Sequence, residues 1–327
     1  MTFNEAQNAF EELFSGKMKD EDAKSLLVEM YKRGESAEEI AAAAGVMREH
    51  SIKLNIPKHL KSKLFDNCGT GGDKSGSFNI STTVSIILAS MGLVVAKHGN
   101  RSITSKSGSA DVLESLGIRL NLNASAQIKM LEETGFAFLF AQNHHPAMKY
   151  IMPIRKSLSH RTVFNILGPL TSPANVEKQL IGVFDPSYVL RIAEALKILG
   201  SSDAMVVSSL EGLDEIGIGS TSKYAKLVNG EIKEGEIEPE SFNIKRASLD
   251  EIKGGNSQEN AHIMNDVLSG KSSQAKENIV LLNAAAAFET SGLARDMQDG
   301  LEMAKEAIKS SKAKMQLEKI IKVSQSL

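Results

Sequence analysis

Hydrophobic positions along this chain change their spacing once, near residue 60. Before that point they recur every three or four residues. Phe10, Leu13 and Phe14 share one face of a helix from Asn4 to Phe14, and Ala23, Leu26, Leu27 and Met30 share one face of a second that Asp20 can cap. Gly16 and Gly34 close these helices. Ser36-Ala37-Glu38-Glu39 is a capping-box pattern, in which hydroxyl and carboxylate each satisfy a backbone N–H, and it opens a third helix that runs to His50.

From Leu64 onward short apolar runs alternate with helical patterns. Leu64-Phe65, Leu93 to Ala96, Phe136 to Ala141, Gln179 to Phe184 and Ala204 to Ser208 read as buried strands. Helical patterns from Thr83 to Met91, Asp111 to Leu116, Ala124 to Thr134 and Ser187 to Leu199 separate them. Tyr224 to Val228 and Glu231 to Lys233 flank Asn229-Gly230, a hairpin signal, and helices fill the chain from about Gln258. The alternation predicts an α/β fold: a small all-helical N-terminal domain (1–64, with a returning helical segment near 145–176) and a large α/β domain (65–327) with a mostly parallel central sheet.

The chain has 327 residues, 42% hydrophobic and 24% charged, enough for a large core and two domains. No apolar run approaches the ~20 residues that span a bilayer, and the acidic N-terminal stretch lacks the basic region of a secretory signal. A single cysteine, Cys68, fits a reducing cytoplasm. No His–acid pattern accompanies it, so packing rather than nucleophilic chemistry is expected there. A pI of about 6.4 argues against a nucleic-acid-binding face.

Charge placement changes the picture more than its total. The formal charge is −2, yet no acid lies between Asp73 and Asp111, where Lys74, Lys97, Arg101 and Lys106 occur. A second acid-free run, between Glu133 and Glu177, holds Lys149, Arg155, Lys156 and Arg161. Gathered in a cleft, these cations would focus field on an anionic ligand. Gly69-Thr70-Gly71-Gly72-Asp73 sits where the first strand ends, and Asn79-Ile80-Ser81-Thr82 opens the next helix. Strand, glycine turn and helix start together form a preformed anion site. The second strand delivers Lys97-His98-Gly99-Asn100-Arg101 to the same sheet edge.

These motifs, with Ser107-Gly108-Ser109-Ala110-Asp111, His144-His145-Pro146, Arg155, Thr162 to Leu170 and Gly212-Leu213-Asp214-Glu215, resemble those of the anthranilate phosphoribosyltransferases over nearly the whole chain. The resemblance implies a nucleoside phosphorylase/phosphoribosyltransferase-like fold and transfer of the phosphoribosyl group of 5-phosphoribosyl 1-pyrophosphate (PRPP) to the amine of anthranilate. It implies PRPP contacts at Gly69, Gly72, Asp73, Ser77, Asn79, Ile80, Ser81, Thr82, Lys97, Lys106, Ser107 and Ser109. Anthranilate contacts fall at Gly69, Asn100, His145, Arg155 and Gly168. Two Mg²⁺ ions are expected, held by Ser81 and by Asp214 with Glu215, and a homodimer through the helical domain.

No covalent or general-base residue is required, because positioning and electrostatics carry such a transfer. Lys97 is expected to close over phosphate oxygens, and the segment Lys106 to Ser109 to fold down on bound ligand. Arg155 suits a carboxylate, Asn100 an amine, and Gly168 leaves room for a ring. His145 reads either as lining the entrance or, with its neighbours, as a helix start. Gln142, Met148 and Ser159 depart from the family pattern along the expected aromatic channel. Pyrimidine nucleoside phosphorylases share the fold, but Arg155, Asn100 and the paired carboxylates favour a metal–pyrophosphate donor.

Overall fold

The computed structural model describes residues 1–73, 75–102 and 106–327. Its strands are β1 (Leu64–Gly69), β2 (Val94–Gly99), β3 (Phe136–Phe140), β4 (Lys178–Gly182), β5 (Asp203–Ser209), β6 (Ser222–Val228) and β7 (Glu231–Ile237). They form one sheet in the order β3-β2-β1-β4-β5-β6-β7. The first five strands pair in parallel, while β6 and β7 are antiparallel. The hairpin turns through Asn229 (φ 51°) and Gly230 (φ 79°), the left-handed pair that a tight two-residue connection needs.

From β1 the chain builds outward through β2 and β3, then returns to place β4 on the other side of β1. The strand order therefore reverses between β1 and β4, which opens a crevice at their carboxyl ends. Gly69 and Gly182 are register partners there. The first strand is longer than its apolar run implies. Asp66, Asn67 and Cys68 continue it in register with β4, so Gly69 is its last residue rather than part of a free turn. At the far edge Ala141 leaves the sheet and starts a short helix, Ala141–His144.

Each face of the sheet has its own core. On one, the helix Ile80–Ser90 packs with Gln274–Ser291, whose Ala284 to Ala287 are fully buried and let the helices approach closely. On the other, Ile181, Val183, Ala204, Val206, Ala225 and Leu227 share a core with the helix Val189–Ile198 and the helices Phe3–Phe14, Asp20–Arg33 and Ala37–Glu49. The helix Met148–Lys156 returns to pack on the first two of these three N-terminal helices. Phe164 meets Phe10 and Phe14 edge-on, with centroids 6.3 and 5.8 Å away. The apolar face of the N-terminal helices is thus buried against the sheet as well as against itself.

The carboxyl ends of β1 and β4 are roofed by the loop after β5. A side chain at Gly182 would lie 1.6 Å from the Asp214 carbonyl oxygen, and one at Gly69 would lie 2.3 Å from Asp214 Oδ2. Gly182→Ala is therefore expected to destabilise the fold by about 1–3 kcal/mol, read as a lower urea midpoint at unchanged slope. A variant as stable as the wild type would show that the loop does not rest on the strand ends.

Candidate active site

The glycine turn and the loop carrying Asp214 and Glu215 are built as one unit. Gly71 (φ 68°) and Gly72 (φ 76°) hold left-handed conformations that other residues adopt at a cost. The Gly71 N–H donates to Asp214 Oδ2 at 2.7 Å, and the Ser81 N–H donates to Glu215 Oε1 at 3.1 Å. Glu215 thereby places its carboxylate at the start of the helix Ile80–Ser90, where the dipole favours negative charge. Thr70 fastens the turn from below: its N–H donates to Gly182 O (2.9 Å), and its hydroxyl accepts from the Phe184 N–H (3.2 Å). Gly69 leaves room for the carboxylate loop, since a Cβ there would fall on Asp214.

Beneath the turn lies a buried polar web. Lys97 Nζ donates to Asn67 O (2.6 Å) and Ser81 Oγ (3.2 Å), and the lysine is 1% exposed. Asn67 donates to Ser81 O (2.7 Å) and accepts from the Ser85 hydroxyl (2.6 Å). The expectation that Lys97 closes over a ligand is corrected by this packing: it is a fixed cation, already tethered from below. Ser81 is not the helix cap. Asn79 holds that position, and its side chain makes no capping bond.

Farther out, Asn79 Nδ2 donates to Ser107 O (3.3 Å). The Asp111 carboxylate accepts from the Gly108 N–H (2.9 Å) and the Ser102 N–H (3.1 Å), tying the segment 106–109 to the end of β2. Arg101 pairs with Asp111 (2.9 Å) and Glu114 (2.6 Å), so its charge is engaged within the protein. Counting acids along the sequence misses this, because the partners stand at and beyond the end of the acid-free window. Lys106 is exposed, Ser109 begins a helix, and Ser77 bridges to Lys253. Ile80 and Thr82 point into the protein and offer a ligand only their backbone. Lys74 lies outside the described residues.

Two of the second group of predicted residues, His145 and Gly168, meet at His98. Its Nδ1 donates to Gly168 O (2.9 Å), and its Nε2 lies 3.3 Å from His145 Nε2. Burial pushes His98 down to about 3 and His145 down to about 4, so both rings are neutral near pH 7. His145 is 5% exposed, and it ends the helix Ala141–His144 rather than starting one. A side chain at Gly168 would meet nothing within 4 Å, which leaves open space beside the pair. The Arg155 guanidinium, half-buried over the Phe164 ring (5.7 Å), makes neither an ion pair nor a hydrogen bond among the described residues, and burial lowers its pKa. Asn100 accepts from Gln142 Nε2 (3.4 Å), so one departure from the family pattern touches a site residue, while Ser159 is exposed and Met148 packs on the helical core.

Three supporting residues escape sequence reasoning. Asn283, 1% exposed, pairs with the backbone of Ile216 in both directions (2.9 Å each) and pins the carboxylate loop. Arg161 donates to Gly72 O and stacks on Phe184 at 3.7 Å. Asn260 donates to Asn79 Oδ1 at 2.9 Å. Each acts on backbone or amide groups far away in sequence, which no local motif announces. Cys68 fits the packing expectation: burial pushes its thiol pKa up, away from the reactive thiolate.

The carboxylates have the character of a cation site. Burial, then the nearby charge of Asp73, pushes Asp214 up to about 7; burial, then Asp214, pushes Glu215 up to about 8. No set of three His, Cys, Asp or Glu side chains with metal-holding geometry occurs among the described residues. Asp214 and Glu215 are hard oxygen donors of the kind Mg²⁺ takes, an ion that uses few protein ligands and completes its shell with water and phosphate oxygens. Because the folded pKa values of this pair exceed those of the unfolded chain, the pair's own contribution to stability falls as pH rises from about 4 to about 8. Mg²⁺ binding should release protons near pH 7 and weaken below it. Calorimetry in two buffers of different ionisation enthalpy checks this, and equal heats in both would refute it.

The family model described as "Glycosyl transferase family, a/b domain" matches residues 61–314, and "Glycosyl transferase family, helical bundle domain" matches residues 1–51. Anthranilate phosphoribosyltransferase of Petrotoga mobilis is 44% identical over 98% of this chain and 92% of its own. The crystal structure of anthranilate phosphoribosyltransferase from Thermus thermophilus superposes with a TM-score of 0.92 at 37% identity, covering 99% of this chain and 96% of that one. The Saccharomyces cerevisiae enzyme in complex with PRPP and Mg gives a TM-score of 0.88 at 29% identity, covering 99% and 93%. With two family models spanning both parts and full-length relatives above 40% identity, the chain belongs to the anthranilate phosphoribosyltransferase family.

Proposed function

We propose that this protein transfers the phosphoribosyl group of PRPP to the amine of anthranilate, giving N-(5-phosphoribosyl)anthranilate and pyrophosphate. One observation carries the reading. A glycine turn, a buried lysine and two proton-holding carboxylates converge on the carboxyl end of β1.

In this reading the diphosphate lies against the turn from Gly69 to Asp73 and the helix start from Asn79 to Thr82. Lys97 contributes a charge that needs no reorganisation when the leaving group departs, which is worth most in a dry site. Lys106, Ser107 and Ser109 close the outer side, and Asp73 and Ser77 shape the turn. Two Mg²⁺ ions, one at Ser81 and one at Asp214 and Glu215, would neutralise the diphosphate as it forms. Arg155 takes the anthranilate carboxylate, Asn100 orients the amine, Gly168 gives the ring its space and the neutral His145 walls it. An aromatic amine is uncharged near pH 7, so positioning it beside the ribose suffices. A cytoplasmic homodimer meeting through the helical part, where Tyr31 and Tyr150 are exposed, belongs to the same proposal.

Anthranilate fluorescence follows the reaction directly. With PRPP and Mg²⁺ the signal should fall, and omission of either should stop it. Arg155→Ala should raise the anthranilate KM by roughly tenfold or more, the worth of a charge-assisted contact, with the PRPP KM little changed. No fall in signal with the wild type at any concentration would overturn the assignment.

A further inference from the structure

The residues that meet PRPP in the reading above are backed by a segment with no place in that reading. Residues 252–256 run beside 76–78: Gly254 N–H donates to Gly76 O (2.9 Å), Phe78 N–H donates to Ile252 O (3.3 Å), and Ser77 bridges to Lys253. Gly254 must lack a side chain, since a Cβ there would lie 2.5 Å from Asn260 Oδ1 and 2.7 Å from the Phe78 Cα. The contact delivers Asn260, on the helix Ser257–Leu268 and 2% exposed, against Asn79.

Three hydrogen bonds then run in one direction. The Gly255 N–H donates to Asn260 Oδ1 (2.7 Å), Asn260 Nδ2 donates to Asn79 Oδ1 (2.9 Å), and Asn79 Nδ2 donates to Ser107 O (3.3 Å). A backbone N–H can only donate and a carbonyl can only accept, so both ends of the chain fix its polarity. Neither amide can turn over without setting oxygen against oxygen or N–H against N–H.

We infer that Asn260 is a positioning residue that sets the orientation of the Asn79 amide, so that Asn79 presents its remaining N–H, never its oxygen, to a phosphate of PRPP. The inference rests on the PRPP reading of this site. Asn79 is the cap residue of the helix Ile80–Ser90, yet its oxygen is taken by Asn260 rather than by the helix N–H groups. Since the Ile80 N–H is engaged by Phe78 O and the Ser81 N–H by Glu215, the donor that Asn79 offers at this helix start counts for more. Asn260 touches no substrate itself; it acts through the amide it orients.

Asn260→Asp keeps the shape and reverses the polarity. The Gly255 N–H still finds an acceptor, but the second oxygen forces Asn79 to turn its N–H₂ inward and its oxygen outward. Affinity for PRPP with Mg²⁺, measured by calorimetry and as KM, should weaken about tenfold or more, with the anthranilate KM and kcat within about twofold. In an Asn79→Ala background the same substitution should change PRPP affinity by less than about twofold, since the amide it acts through is gone. Equal weakening in both backgrounds would mean that the new charge or a general distortion is responsible, and would overturn the inference; so would no weakening in either. If Asn260→Asp does not fold, Asn260→Ala replaces it, with a smaller weakening that also vanishes in the Asn79→Ala background. Wild-type protein that fails to bind PRPP would instead overturn the reading of the site.

Discussion

The site depends on one close approach: the loop from Leu213 to Ile216 lies across the carboxyl ends of β1 and β4. Any side chain at Gly69 or Gly182 would occupy the place of Asp214. Because the strand order reverses between these strands, their ends form a crevice that no crossover helix fills. The loop enters it, Asn283 clamps its trailing end, and the N–H groups of Gly71 and Ser81 receive its carboxylates. Glycine turn, helix start and acidic pair are thus held in fixed relation by backbone geometry.

That closeness sets the electrostatics. Two carboxylates withdrawn from water beside Asp73 resist losing their protons, and Lys97 offsets only part of the cost. A divalent cation at this pair would offset that cost. On the aromatic side the opposite holds. His98 and His145 are kept neutral, and the Arg155 guanidinium makes no ion pair among the described residues.

Much of this is readable from residues alone. Glycines in a left-handed turn leave a local signature, and alternating apolar runs give strands that pair in parallel, so the α/β sheet and the glycine turn are legible. The length of β1 is not, because Asp66 and Asn67 are polar residues whose buried partners come from β2 and from the helix Ile80–Ser90. Lys97 reads as a flexible cation in sequence; only the fold shows it sealed under Ser81. Arg101 reads as free charge, although Glu114 one helix on engages it. Adjacent acids such as Asp214 and Glu215 are common on surfaces, and the family resemblance rather than their spacing singles them out. Asn260, Asn283 and Arg161 carry no signal at all, since each is a lone polar residue whose partner lies far off in the chain.

In the proposed reaction the carboxylate pair makes the phosphate site depend on a cation. Equilibrium binding of PRPP, measured with excess Mg²⁺ and with a chelator, tests it most directly when the wild type is set beside an Asp214→Asn, Glu215→Gln double variant. The account predicts that the wild type binds at least about tenfold more tightly with Mg²⁺, and that neutralising the pair removes most of that difference. Equal wild-type binding under both conditions, or a Mg²⁺ dependence untouched by the double substitution, would contradict it.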